Sequence, residues 1–358
     1  MTVSRRQISA LALATVALPF SRSAQAAETL KLSIVAGHPE IFLWVKHLKQ
    51  TFAPAVDAAL AKTGRYRIDW THAYGGTVAK VGGELDAIQD GVADLGYSPS
   101  LFNPAKLPMQ NVSFVAPFTS DKPRLVTEVV EKLQRDIPQM GAAWEKYNQV
   151  YLGGGIAIDS YHLFTTFPVN GMAALKGRKI AGPGSVVGWL RGTEAIGVAG
   201  DLTTYYNSIK TGVYDGVILF ATAAAPGKLV EVAPYITRVN FGSAYAGGLT
   251  ANKDRWAKLP EEVRVALLAA ATSYSDAFYR EQEAVVDAAW AQMRGAGAKV
   301  AELPADERAR WATALPATPK LWAESLEKQG LPGKKILAGY MDGMRAHGER
   351  MPRAWDKE

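Results

Sequence analysis

Cysteine is absent from all 358 residues. That removes disulfides, thiolate metal sites, a cysteine nucleophile and any lipid-bearing cysteine from consideration. Histidine is nearly as scarce. The five residues His38, His47, His72, His162 and His347 are scattered, and no two sit at the spacing of a helical metal site. Beyond the N-terminus no stretch has the length and apolarity of a membrane helix. A strong excess of one charge is also lacking. The net charge of +6 falls to +3 once Arg5, Arg6 and Arg22 are set aside, which gives no support to a nucleic-acid partner. The length suits roughly two domains' worth of core.

The first residues read as an export signal. Arg5 and Arg6 open it, Ile8 to Phe20 is apolar, and Ala24-Gln25-Ala26 fits a small-residue cleavage site. The pattern Ser4-Arg5-Arg6-Gln7-Ile8 fits twin-arginine export as well as the general route. Residues 1–26 are therefore expected to be removed near Ala26, leaving a mature chain free in the periplasm, untethered by lipid.

Thereafter the chain alternates strands and helices. Leu30–Val35 is patterned as a strand, Glu40–Leu60 as a helix, Tyr66–His72 as a strand, Glu84–Asp90 as a helix and Asp94–Tyr97 as a strand. This rhythm predicts an α/β sheet with crossover helices. Val150–Ile158 is an apolar strand interrupted by Gly153, Gly154 and Gly155, which mark a bend or a close backbone approach. We read it as part of a crossing between two lobes. Glu261–Arg294 has no glycine or proline and would span roughly 50 Å at helical rise, enough to back both lobes. The tail from Pro304 is helical, with breaks at Pro316, Pro319 and Pro332.

Leu175-Lys176-Gly177-Arg178-Lys179-Ile180-Ala181-Gly182-Pro183-Gly184-Ser185, followed by the segment Tyr205–Gly216 ending in Val213-Tyr214-Asp215-Gly216, resembles the DctP-type solute-binding proteins of TRAP transporters. Their pattern is Leu-Lys-Gly-x-Lys-Ile-Arg-x-Pro-x-Ser, then Leu-Gln-x-Gly-x-Val-Asp-Gly. Gly75-Gly76 through Leu95, the segment Asn111–Phe118 and Trp256–Pro260 are similar to further family segments in the same order, the second of them to a strand. The resemblance implies an α/β, two-lobe, periplasmic-binding-protein-like (type II-like) fold with long crossing strands. It also implies capture of one small-molecule solute between the lobes, no chemistry and no cofactor, and delivery to TRAP membrane permease subunits. The lobes expected are residues 27–155 with about 242–280, and 156–241 with about 281–358.

The resemblance breaks at the positions that would grip a carboxylate. Ala181 stands where the family has arginine, Tyr161 stands twenty positions earlier where acid binders often carry a second, and Val217-Ile218-Leu219-Phe220 replaces Gln-Glu-Asn-Pro. Arginine suits a carboxylate because its planar fork makes two parallel bonds. Without one, burying the anion costs several kcal/mol. The expected solute is thus neutral, cationic or substantially apolar. Three other grips on an acid stay open: the helix start after Pro183, a histidine (His38 or His162), or Arg191.

Tyr74, Tyr97, Tyr161, Trp189, Phe220 and Tyr245 fall at strand ends or turns where the lobes should face each other. Each suits either a ring-bearing solute or the core. The ligand-binding residues expected are Tyr74, Tyr97, Ser98, Tyr161, His162, Ala181, Ser185, Leu219 and Phe220. Two competing patterns are weak: the third glycine of Gly182–Gly188 falls one position late for a dinucleotide fingerprint, and Gly96–Ser100 lacks the closing glycine of a nucleophile elbow. Remaining alternatives are an exported α/β enzyme using Asp159 or His162 as acid–base groups, and a binding protein of the same fold serving a membrane sensor.

Overall fold

A computed structural model describes residues 27–358, so the expected export signal lies outside the described residues. The strands, in chain order, are β1 (Glu28–Ala36), β2 (Tyr66–Tyr74), β3 (Leu95–Ser98), β4 (Gln149–Ile158), β5 (Tyr161–Thr165) and β6 (Lys179–Gly182). They continue as β7 (Ile196–Ala199), β8 (Gly216–Phe220), β9 (Tyr235–Arg238), β10 (Ala244–Asn252) and β11 (Lys299–Glu302). Two sheets result, in the orders β2-β1-β3-β10-β4 and β11-β9-β5-β8-β6-β7.

The strand patterns match their places. Central β1 is buried along Leu32, Ile34, Val35 and Ala36, whereas its parallel neighbour β2, at the sheet edge, alternates between half-buried and exposed residues. β5 and β8 pair antiparallel with every residue buried, placing Tyr161 opposite Phe220 and His162 opposite Leu219. Successive residues of a strand point to opposite faces, so Tyr161 and His162 project to opposite sides of the sheet.

Two short passages carry the chain between the sheets, Asp159-Ser160 after β4 and Val239–Ser243 before β10, and a third crossing runs through the helical stretch between β10 and β11. The two passages are tied together, since the Tyr161 amide donates to the Gly242 carbonyl and the Phe241 amide to the Tyr161 carbonyl. The three glycines lie further back than the sequence reading put them, inside the first sheet where β4 slips register against β10. Gly153 and Gly154 adopt left-handed backbone, at φ 88° and 66°. At Gly155 a Cβ would strike the Glu131 carboxylate and lie 2.8 Å from the Tyr245 ring and hydroxyl. Glu131 there accepts from the Tyr151 and Tyr245 hydroxyls in a buried network. Gly155→Ala is expected to destabilise the fold by about 1–3 kcal/mol, because neither backbone nor network can yield cheaply. A urea melt indistinguishable from the parent would show that the site relaxes.

The long helix, Glu261–Gly295, backs both lobes as expected. Its Tyr274 hydroxyl donates to the Trp44 carbonyl, and its Tyr279 hydroxyl accepts from the Ala157 amide at 2.8 Å. Further on, Trp290 meets His162 edge-on at 5.3 Å, on the second sheet. Two local expectations differ. Residues 40–60 form a helix interrupted by a π-type turn at Leu48–Phe52, just ahead of Pro54, whose missing N–H breaks the ladder. The segment Asn111–Phe118 forms no strand: it is helical through Val115, in turns at Met109–Asn111 and Val112–Val115, and irregular from Ala116 to Phe118. In the tail, helices Thr318–Lys328 and Gly333–Ala346 pack against Val112–Val115, and the second also against the helix Pro123–Asp136.

Candidate functional site

Strands β1, β3, β6, β7 and β8 end at one place, and the loops leaving them enclose an apolar cavity. Carboxyl ends of strands are where open α/β sheets place ligands, because there the loops diverge. About 460 Å³ of space, part of it open to solvent, lies against these residues, which suits a small solute. Its aromatic wall is Trp44, Tyr97, Phe102, Tyr161, Tyr205 and Phe220, joined by the ring of His38. Among the described residues, Asp201 brings the one carboxylate, and no lysine or arginine lines the cavity.

The walls come from both lobes. Tyr161 and Phe220, paired across β5 and β8, meet edge-on at 5.1 Å. Phe220 faces Trp44 across the gap between lobes at 6.3 Å. Two hydrogen bonds close the lobes on each other. The Ser185 hydroxyl donates to the Leu101 carbonyl at 2.8 Å, and the Trp189 indole N–H donates to the Phe114 carbonyl at 2.6 Å.

His38 is held in place by its neighbours in the chain. Gly37 precedes it because a Cβ there would lie 2.5 Å from the Val81 nitrogen and 2.6 Å from Glu84 Oε1. The Glu84 carboxylate accepts from the amides of Gly37 at 2.8 Å and Gly82 at 2.7 Å, pinning the loop from behind. Burial pushes Glu84 up to about 7. The His38 ring packs edge-on against Trp44 at 5.2 Å. Burial lowers its pKa to about 4, against the raising influence of Asp201, so the ring is neutral at neutral pH. Its Nε2 and the Tyr97 hydroxyl are buried atoms with no hydrogen-bond partner among the described residues. Both residues line the cavity and are only 4% and 3% exposed. Burying such groups unpaired costs roughly 1–3 kcal/mol each, which a polar group on a solute would recover.

Of the nine residues singled out from sequence, Tyr97, Tyr161, Leu219 and Phe220 line this cavity. The other five lie elsewhere, two of them (Ser98 and His162) through strand alternation. Ser98 points away from Tyr97 and meets the Thr250 hydroxyl at 2.7 Å. His162 points away from Tyr161, and its Nδ1 accepts from the Asn240 amide at 3.2 Å. Burial, with the Arg238 charge, lowers His162 to about 3. Tyr74 turns its hydroxyl to His72 Nδ1 at 2.8 Å. Ala181 is fully buried in β6 between Val198 and Val217. Ser185 is spent on the bond between lobes.

Asp159 and His162, the pair an enzyme would have used, border a separate polar cavity with Arg238, Gln282 and Trp290. Asp159 accepts there from the Thr222 hydroxyl and amide, ahead of the turn Ala221–Ala224. Of the alternative grips on an acid, His38 and Pro183, the cap of the four-residue helix Gly184–Val187, line the aromatic cavity, whereas His162 and Arg191 do not; His38 is uncharged. No group of three potential metal ligands occurs among the described residues. No helix among them is long and apolar enough to cross a membrane.

Sequence reading singled out neither Trp44, Phe102 and Tyr205 nor Asp201 for the cavity. Asp201 and Tyr205 lie just after β7 and Trp44 just after β1, so distance from a strand's carboxyl end was the usable signal.

No curated protein matches the chain. Solved structures do match in fold. DctP7 of Bordetella pertussis, an extracytoplasmic solute receptor binding pyroglutamic acid, superposes with a TM-score of 0.74 at 19% identity, over 87% of this chain and 99% of that one. A TRAP solute-binding protein of Rhodoferax ferrireducens, with copurified benzoate, gives 0.77 at 18% identity over 89% and 98%. A marine metagenome TRAP protein specific for aromatic acid ligands, from an unidentified microbe, gives 0.77 at 18% over 90% and 100%. Residues 46–329 match the family described as bacterial extracellular solute-binding protein, family 7. The two lobes, the cavity at their strand ends and this match over most of the chain make it a member of the DctP family of extracytoplasmic solute-binding proteins.

Proposed function

We propose that the protein captures one small, ring-bearing solute of neutral or positive charge in the aromatic cavity and delivers it to a TRAP membrane permease from the periplasm. The carrying observation is the wall itself: six aromatic side chains and no lysine or arginine. The relatives named above bind acids, two of them aromatic. The aromatic wall here suits the ring of such a solute. The missing guanidinium argues against its carboxylate, since a buried anion without a cationic partner is strongly disfavoured. Tyr97 and Tyr161 are the expected orienting hydroxyls, with Leu219 and Phe220 as apolar wall.

The lobe division we propose follows the sheets. Residues 27–158 with about 244–280 form one lobe, and 159–243 with about 281–304 the other. The tail helices from Thr318 ride on the first lobe, in line with their packing against Pro123–Asp136 and Val112–Val115. Solute touching both walls favours the closed arrangement, because only that arrangement offers both sets of contacts.

A thermal-shift screen of neutral, aromatic, amine and carboxylate solutes tests the reading. Aromatic solutes without a carboxylate are expected to stabilise the protein, by about 2.7 kcal/mol at a hundred times the dissociation constant. Stronger stabilisation by small dicarboxylates would overturn the assignment.

A further inference from the structure

Resting on that reading of the cavity as the solute site, we propose that it is a cage for an organic ammonium ion, with Asp201 as the counter-charge. Trp44, Tyr97, Phe102, Tyr161, Tyr205 and Phe220 bring aromatic rings to the cavity from both lobes. Ring faces carry negative potential, and several of them around one point attract a cation, most strongly where water is excluded. Asp201 is the one carboxylate in the wall. Its Oδ1 accepts from the Thr203 amide at 2.8 Å and the Thr203 hydroxyl at 2.6 Å, which orients the half-buried carboxylate.

The other polar groups agree. His38 is neutral, so it adds no positive charge and can present a lone pair. Its Nε2 and the Tyr97 oxygen are the two unpartnered buried atoms in the wall, and an ammonium N–H can donate to either. Thus the site offers acceptors and aromatic rings with one oriented negative charge. An anion meets repulsion from Asp201 and no compensating cation, and a neutral ring leaves that carboxylate unused.

The test uses the mature chain and three probes of matched shape: benzylammonium, benzyl alcohol and benzoate, titrated by calorimetry at pH 7. Benzylammonium is expected to bind about tenfold or more tightly than benzyl alcohol, and benzoate weakest. In Asp201→Asn, whose amide oxygen can keep the Thr203 bonds, benzylammonium should lose at least tenfold while benzyl alcohol stays within about twofold. Unchanged alcohol binding also shows that the variant is folded. Equal binding of amine and alcohol, with no effect of the substitution, overturns the cage and leaves the carrier reading standing. Tightest binding of benzoate overturns both the cage and the charge assignment. If none of the three binds, the cage is again overturned, and the wider solute screen decides separately whether the cavity is a solute site at all.

Discussion

Phe220→Ala is expected to lower solute affinity more than a hundredfold and to cost the fold about 3 kcal/mol. The ring is buried at the end of β8, edge-on to Tyr161 at 5.1 Å, and is the wall's contact with Trp44 across the gap between lobes. Truncating a buried phenylalanine typically costs about 3–5 kcal/mol, part of it the cavity left behind. Binding suffers more than the lost contact area implies, because the closed arrangement itself loses a ring-to-ring contact between lobes, and solute must then supply the difference. Phe220→Leu separates the two effects. It keeps most of the apolar volume but removes the ring face, so stability should fall by less than about 1.5 kcal/mol while affinity still drops about tenfold. Calorimetric titration with the best solute of the screen, beside urea denaturation, reads both quantities. Full affinity in Phe220→Ala would place the solute somewhere other than this cavity.

His162→Asn should leave solute affinity within about threefold and yet change how stability responds to acid. The residue faces away from the aromatic cavity, packed on Trp290, with Nδ1 accepting from the Asn240 amide. An asparagine oxygen can accept that same bond. Burial holds the folded ring near pKa 3, whereas an unfolded histidine titrates near 6.5. The neutral ring's contribution is therefore fully present above about pH 6.5 and is lost as pH falls toward 3, by about 1.4 kcal/mol per unit. Measured against the parent, His162→Asn should thus gain about 3 kcal/mol between pH 6.5 and pH 4. The difference between the two proteins is the quantity to read, since other buried groups also titrate. His38, lowered to about 4, acts in the same direction as His162. Glu84 and Asp159, raised by burial to about 7 and 6, act oppositely and favour the fold as pH falls. Parallel stability curves for parent and variant would mean that His162 titrates normally in the fold.

Much of the architecture was legible because it rests on local pattern. Leu30–Val35 and Tyr66–His72 read as strands from alternation, and both fall inside β1 and β2. The uninterrupted run from Glu261 read as one long helix because nothing in it breaks the ladder, and it extends to Gly295. The segment Asn111–Phe118 was expected to be a strand from its resemblance to a family segment, but its apolar residues fit a helical turn equally well, and the turn packs against the tail helices.

The site divided along the same line. Set against the family pattern that the sequence resembles, β5 and β8 carry phenol and hydrocarbon where guanidinium and amide groups are expected, and Tyr161, Leu219 and Phe220 do stand in the wall. Which member of each adjacent pair would face the cavity was beyond local pattern. Tyr97 or Ser98, Tyr161 or His162 differ only by one step of a two-residue period, and the side of the sheet that meets the other lobe sets the choice. Trp44 lay within the stretch patterned as a helix and carried no signal for a cavity, and Asp201 sat in a polar turn without a signal of its own. They meet His38 and Phe220 only because two sheets, linked by two short passages, bring their strand ends together. Residue order carries the propensities, the charge inventory and the family pattern, all short-range properties. The union of His38, Trp44, Asp201 and Phe220 in one wall depends on contacts between distant segments, and those exist only once both lobes have folded and closed.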